Sequence, residues 1–261
     1  MSAALVVNEI YLSVQGESTF AGLPCIFIRL TACNLRCSYC DTAYAFTEGK
    51  KIPLEKVLSE VQRLAAPFRD RGISSQNLPA IDKHDGAGRA DLRLPLVELT
   101  GGEPLLQTDS IPLMKSLCDA GFTVLVETSG AIDISSVDQR VHRIMDLKCP
   151  SSGEVRRNRW QNLEHLRSTD EIKFVIGTRE DYHWAKEQLG SHSLASICPV
   201  LVSWVSPLLP HQQDTSLKNI PREQTPLSRR ELVEAILADA LPVRFQLQMH
   251  KFIWPPDQKG V

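Results

Sequence analysis

The sequence has no apolar run long enough to span a bilayer. Its start, MSAALVVNEI, has no basic segment leading into an apolar core and cleavage site, so neither a membrane span nor a secretory leader is expected. It also lacks a surplus of either charge. Twenty-nine Lys and Arg stand against 31 Asp and Glu, and the formal net charge of -2 gives nucleic acid no electrostatic hold, so a small molecule or a protein is the expected partner. A disulfide framework is missing as well: seven cysteines are an odd number, and three of them fall between positions 33 and 40. That crowding suits a metal site in a reducing compartment, and the cytoplasm is the expected location. Cys25, Cys118, Cys149 and Cys198 stand alone in or beside apolar runs and read as small buried hydrophobes.

From Cys25 onward, β-branched apolar runs alternate with helical patterns, which signals parallel strands joined by crossover helices, an α/β fold. The expected strands are Cys25–Leu30, Pro95–Leu99, Phe122–Glu127, Val141–Leu147, Glu171–Ile176, Ala195–Val202 and Val243–Gln248. Leu54, Val57, Leu58, Val61, Leu64 and Ala65 recur at helical spacing, and Ser228 with Glu231 makes a capping-box pattern for a helix over Ser228–Ala240. A chain of 261 residues can form one domain of this type, 1–261, with ligands at the carboxyl ends of the strands. Ala66–Leu94 mixes Pro, Gly, Asp, Arg and Lys without apolar periodicity and reads as a surface insertion. Ser203–Pro226 is irregular and proline-rich, either a plain connection or a loop covering one edge of the site.

The segment Thr31-Ala-Cys33-Asn-Leu-Arg-Cys37-Ser-Tyr-Cys40-Asp-Thr42 spaces its thiols as Cys-x3-Cys-x2-Cys, close enough for one loop to wrap a cubane [4Fe–4S] cluster through three thiolates. Three ligands leave one iron open to bind and activate a ligand. A zinc module would want a fourth Cys or His at matching spacing, and none of the seven histidines lies near the loop; a pure electron-transfer protein would prefer a fourth cysteine.

With Tyr39 ahead of its last cysteine, this loop resembles the signature of the radical S-adenosylmethionine (SAM) superfamily, and Leu99-Thr-Gly-Gly102-Glu-Pro104 resembles its GGEP motif. The resemblance implies a partial (β/α) barrel and a cluster whose open iron binds SAM, which is cleaved to a 5'-deoxyadenosyl radical. The stretch Asn8–Glu17 with Ser18–Pro24 resembles the opening of 7-carboxy-7-deazaguanine synthases. That likeness continues through Phe27–Leu30, Glu98–Pro104, Val126–Gly130, Asp146–Gly153, Lys173–Ile176 and Gln248–Lys251. It implies conversion of 6-carboxy-5,6,7,8-tetrahydropterin to 7-carboxy-7-deazaguanine with release of ammonia, in queuosine and 7-deazapurine biosynthesis. For SAM it points to Tyr39, Cys40, Asp41, Gly102 and Ser129, and to Asp146, Leu147 and Lys148. It points to Thr42 for Mg2+, and to Val14, Gln15, Gly16, Arg29, Thr100 and His250 for the pterin. Glu127 could instead pair with a lysine such as Lys148. The likeness further implies an electron donor such as flavodoxin or ferredoxin and a homodimer. Two features depart from the family pattern, the Ala66–Leu94 insertion and the tail beyond His250. A glycyl-radical-enzyme activase shares the cysteine loop and GGEP, but the Val14–Glu17 and Gln248–Lys251 stretches favour a small substrate.

Overall fold

The computed structural model describes residues 3–70, 92–255 and 258–261. Among these, nine strands form one sheet: β1 (Ala4–Val14), β2 (Pro24–Leu30), β3 (Lys50–Pro53), β4 (Leu96–Gly101), β5 (Val124–Thr128), β6 (His142–Leu147), β7 (Glu171–Ile176), β8 (Val200–Trp204) and β9 (Arg244–Gln246). The spatial order is β3-β1-β2-β4-β5-β6-β7-β8-β9. From β2 to β9 every neighbouring pair is parallel, whereas β1 pairs antiparallel with both β2 and β3. Among the described residues the sheet keeps two edges, β3 and β9, so this is a partial barrel. The helices are α1 (Leu54–Asp70), α2 (Ser110–Asp119), α3 (Arg179–Ser191), α4 (Leu194–Ile197), α5 (Arg229–Ala238) and α6 (His250–Ile253). None is long and apolar enough to cross a membrane.

The period of two in an extended strand sorts each parallel strand into two faces. One face carries Ile26, Ile28 and Leu30, then Val97 and Leu99, Val124 and Val126, Met145 and Leu147, and Ile172 and Phe174. All are buried against the helices, where Val57 and Val61 of α1 and Leu113 and Leu117 of α2 meet them. The other face starts apolar at its lower end, where Phe20, Cys25, Phe27, Leu96, Leu125 and Ile144 form a second cluster. One pleat further along each strand it becomes polar. Arg29 pairs in register with Thr100, Glu98 with Leu125, and Asp146 with Lys173. Alternation plus register therefore delivers the ionisable side chains of five strands to one place.

The structure shifts several expected boundaries. Ala195–Val202 is not one strand: Leu194–Ile197 turn as α4, and the strand begins only at Val200. Pro199 forces its predecessor extended, and Cys198 indeed lies at φ -158°, so the turn ends there and the strand follows. β1 and β3, absent from the expected set, form the antiparallel margin. The capping box holds: Ser228 Oγ accepts from Glu231 N at 3.2 Å while Glu231 Oε2 accepts from Ser228 N at 2.9 Å. Residues 66–70 of the expected insertion belong to α1, and buried Leu92 already packs in the second apolar cluster; the intervening part, 71–91, lies outside the described residues.

Candidate active site

A cavity of about 630 Å3 opens over the carboxyl ends of the parallel strands, a size that accommodates small-molecule ligands. Cys33, Cys37 and Cys40 line it, all as free thiols. Among the described residues no three His, Cys, Asp or Glu side chains come together as ligands to one ion. Three separate thiols around a shared hollow suit a cubane, in which each thiolate binds a different iron. Burial pushes the Cys37 thiol up to about 12, with Lys148 pulling the other way, so a thiolate there depends on a metal for its stability.

The Gly-Gly-Glu-Pro turn fixes this loop by contact between backbones. Gly102 N donates to Leu30 O at 3.2 Å and Glu103 N to Ala32 O at 2.9 Å. A Cβ on Gly102 would stand 2.1 Å from Ala32 O and 2.9 Å from the Cys33 Cβ, so only glycine fits. We expect Gly102→Ala to displace the cysteine loop and cost about 1–3 kcal/mol, the usual range for overpacking. Its urea midpoint and its iron content after reconstitution should both fall; an unchanged iron content would show that the contact is dispensable. Glu103 does not face the cavity. Fully buried, it accepts from Leu105 N, Thr128 Oγ1, Ser129 N and Ser129 Oγ at 2.5 to 3.0 Å, tying the end of β4 to the end of β5.

On the neighbouring strand ends, Lys148 Nζ donates to Asp146 Oδ2 at 2.6 Å. Burial opposes the Lys148 charge, but Asp146, Cys37 and Glu127 together outweigh it and the pKa is raised, so the lysine stays charged. Among the described residues, Asp146 Oδ1 and the Tyr39 hydroxyl find no hydrogen-bond partner though buried beside the cavity, the kind of atoms a bound ligand satisfies. Leu147, by contrast, points into the helix-side core, so only its backbone can meet a ligand. Thr42 lines the cavity and precedes a short helical turn, yet its side chain does not cap that turn; its hydroxyl stands 3.7 Å from Cys40 Sγ. Asp41 pairs with Lys251, which outweighs burial and holds the carboxyl down at about 2.

Val14, Gln15, Gly16, Arg29, Thr100 and His250 also line the cavity. Gln15 donates from Nε2 to Glu98 and accepts at Oε1 from Glu17 N at 3.1 Å, which sets the orientation of its amide. Burial, then the nearby Glu127 carboxylate, pushes the Glu98 carboxyl well above its ordinary value. Arg29 is already engaged: its Nε donates to Glu9 at 2.7 Å and its Nη2 to the Tyr11 hydroxyl at 2.9 Å, leaving Nη1 for a ligand. A Cβ on Gly16 would stand 2.5 Å from His250 Nδ1, so this glycine admits the imidazole. Burial lowers the His250 pKa from 6.5 and keeps the ring neutral at pH 7.

Three further residues line the cavity outside the expected ligand set, Glu17, Glu127 and Lys173. Lys173 donates to Glu17 Oε2 at 3.2 Å and, more closely, to Glu127 Oε1, while Glu127 Oε2 accepts from Thr100 Oγ1 at 3.1 Å. Glu127 thus finds its lysine in Lys173, two strands away, and not in Lys148. A charged residue within the apolar run Ile172–Ile176 was the available signal. The irregular stretch after β8 lies over one edge of the cavity, with Val205, Ser206, His211 and Asp214 in its wall, and Gln258–Val261 contribute at another.

Fold and site together define a radical SAM enzyme, and the Radical SAM superfamily model matches residues 27–151. The 7-carboxy-7-deazaguanine synthase of Koribacter versatilis is 40% identical over 257 residues, covering 98% of this chain and 99% of the relative. That of Chlorobaculum tepidum is 36% identical over 262 residues, covering 99% and 98%. The chain belongs to the 7-carboxy-7-deazaguanine synthase family. Among solved structures, QueE from Escherichia coli superposes with a TM-score of 0.64 at 21% identity, covering 95% of each chain. Streptococcus suis SuiB bound to S-adenosylmethionine follows at 0.53 and 14%, over 83% of this chain and 48% of SuiB. At these identities both bear on the fold alone.

Proposed function

We propose that this chain, as one radical SAM domain, converts 6-carboxy-5,6,7,8-tetrahydropterin to 7-carboxy-7-deazaguanine with release of ammonia, a step of queuosine and 7-deazapurine biosynthesis. The observation that carries this reading is that the cysteine loop, the GGEP turn and the pterin-side residues, distant in sequence, meet in one cavity of a chain related over its whole length to such synthases. Cys33, Cys37 and Cys40 would hold the [4Fe–4S] cluster, which would supply one-electron reducing chemistry beside SAM. Tyr39–Asp41, Gly102, Ser129 and Asp146–Lys148 would hold SAM. Ser129 offers its backbone and remaining lone pairs, since its hydroxyl proton is held by Glu103. Thr42 donates a hydroxyl oxygen to Mg2+, a cation that prefers oxygen and retains waters.

On the substrate side, Gln15 presents an amide of fixed orientation to the edge of the pterin ring, Arg29 Nη1 serves its carboxylate, and Thr100 and neutral His250 add a hydroxyl and an imidazole. Buried carboxylates paired internally suit a small polar ring better than the loop of a partner protein, which argues against the activase reading. The proposal includes flavodoxin or ferredoxin as electron donor, a homodimer, and the cytoplasm, where free thiols persist.

Iron-reconstituted protein incubated anaerobically with SAM, dithionite, Mg2+ and the carboxytetrahydropterin should give 7-carboxy-7-deazaguanine by mass spectrometry, and Cys37→Ala should give none. SAM cleavage with the pterin left intact would sink the substrate assignment. A pH effect follows from His250. Its folded pKa lies below 6.5, so protonation sets in only as the pH falls beneath that value, where a second cation arises beside Lys251. KM for the pterin is expected to rise on that acid limb, and His250→Gln to flatten it.

A further inference from the structure

The loop between Cys33 and Cys37 is gripped from outside at one residue. Arg36 N donates to Glu154 Oε1 at 2.7 Å, and Arg36 O accepts from Lys218 N at 2.9 Å. Glu154 is only 5% exposed, and Lys218 Nζ closes on its other oxygen at 2.8 Å while also donating to Gly153 O at 2.8 Å. Gly153 sits at φ +72°, and a Cβ there would stand 2.9 Å from Lys218 Cδ, so the lysine stem lies across that glycine. Beside this contact, Ser38 donates from N to Ser152 O at 3.1 Å and from Oγ to Ser151 O at 2.6 Å. Three segments remote in sequence therefore meet on the outer side of the loop. Neither Lys218 nor Glu154 lines the cavity.

We propose that Lys218 and Glu154 are positioning residues for the cluster, clamping the Cys33–Cys37 loop in its ligating shape through Arg36, with the stretch after β8 acting as the strap that carries the lysine. This rests on the cluster reading above. A loop already ordered has less freedom to lose when its thiolates take iron, and it releases iron more slowly. The Glu154 carboxylate is the hinge of the arrangement because it accepts from the loop amide and from the strap ammonium at once. Arg36 supports the same shape from within, donating from Nη1 to Cys33 O at 2.8 Å and to Leu35 O at 2.7 Å.

The test is Lys218→Met, with Lys218→Arg as the conservative rescue and Glu154→Gln as the second arm. Two readouts are needed: amide hydrogen exchange in the cluster-free protein, and the rate at which reconstituted protein loses iron to a chelator. Losing a charged partner should speed exchange at Arg36 and Ser38 by about tenfold or more in Lys218→Met and Glu154→Gln. Val126 in β5 should stay unchanged, iron loss should accelerate, and Lys218→Arg should restore both readouts. Exchange at Arg36 within about twofold of the parent would overturn the clamp, as would faster exchange with unaltered iron loss. A parent protein that binds no iron at all marks instead the failure of the cluster reading on which the proposal stands.

Discussion

Lys173→Met is expected to destabilise the protein by about 3 kcal/mol near neutral pH, toward the lower end for removing one member of a buried ion pair, because Glu127 keeps some contact with the open cavity. The lysine is 4% exposed and lies between Glu17 and Glu127, with Glu98 a further buried carboxyl beside them. In the parent, burial raises the Glu127 pKa, but Lys173 overrides it and holds the group below its ordinary value of 4.5. Without the ammonium, burial is opposed only by the more distant Lys148 and the Thr100 hydroxyl, and the folded pKa is expected to rise above the unfolded one. A group shifted in that direction contributes fully at low pH and loses its contribution as the pH climbs through the folded pKa. The stability gap between parent and variant should therefore widen from pH 5.5 to pH 8. Urea midpoints at the two pH values measure it; an equal gap at both would mean that solvent already serves the carboxylates.

Removing the Glu103 carboxylate should cost a comparable amount. Glu103→Ala leaves the amides of Leu105 and Ser129 without their acceptor inside a closed turn. At about 1–3 kcal/mol for each unsatisfied group, a loss near 3 kcal/mol is expected. Glu103→Gln keeps one oxygen but aims an amine at existing donors, so it should fall between the parent and alanine. Because the carboxylate joins the ends of β4 and β5 without touching the cavity, SAM affinity should drop in step with stability. Equilibrium dialysis with labelled SAM alongside urea titration separates the cases: intact stability with lost SAM binding would mean that Glu103 contacts the ligand itself.

The cysteine loop, the GGEP turn and most of the parallel strands were legible in the sequence because each is a local signal: thiols at fixed spacing, two glycines in a turn, apolar runs of strand length. Glu171–Ile176 matches the observed β7 at both ends. The antiparallel strands β1 and β3 were not, since Ala4–Val14 carries Asn8, Glu9 and Ser13 among its apolar residues and Lys50–Pro53 is only four residues long. The Glu17–Lys173–Glu127 group was hidden for another reason. Its members meet through the register of successive parallel strands and a loop after β1, and register is decided by packing, not by neighbours in the chain. The same holds for the pairing of Arg29 with Glu9 across β1 and β2, which occupies part of a guanidinium that the sequence alone leaves wholly available.

The grip on Arg36 bears on the order in which the molecule is made. All three cysteines have been translated by position 40, but the carboxylate that receives the Arg36 amide lies 118 residues beyond Arg36, and the lysine that braces it comes later still. A nascent chain halted before Glu154 would display the complete thiol motif on a loop without its outer support. Iron offered at that moment meets an unshaped site, so the finished polypeptide, not the emerging motif, is the proper recipient of the cluster.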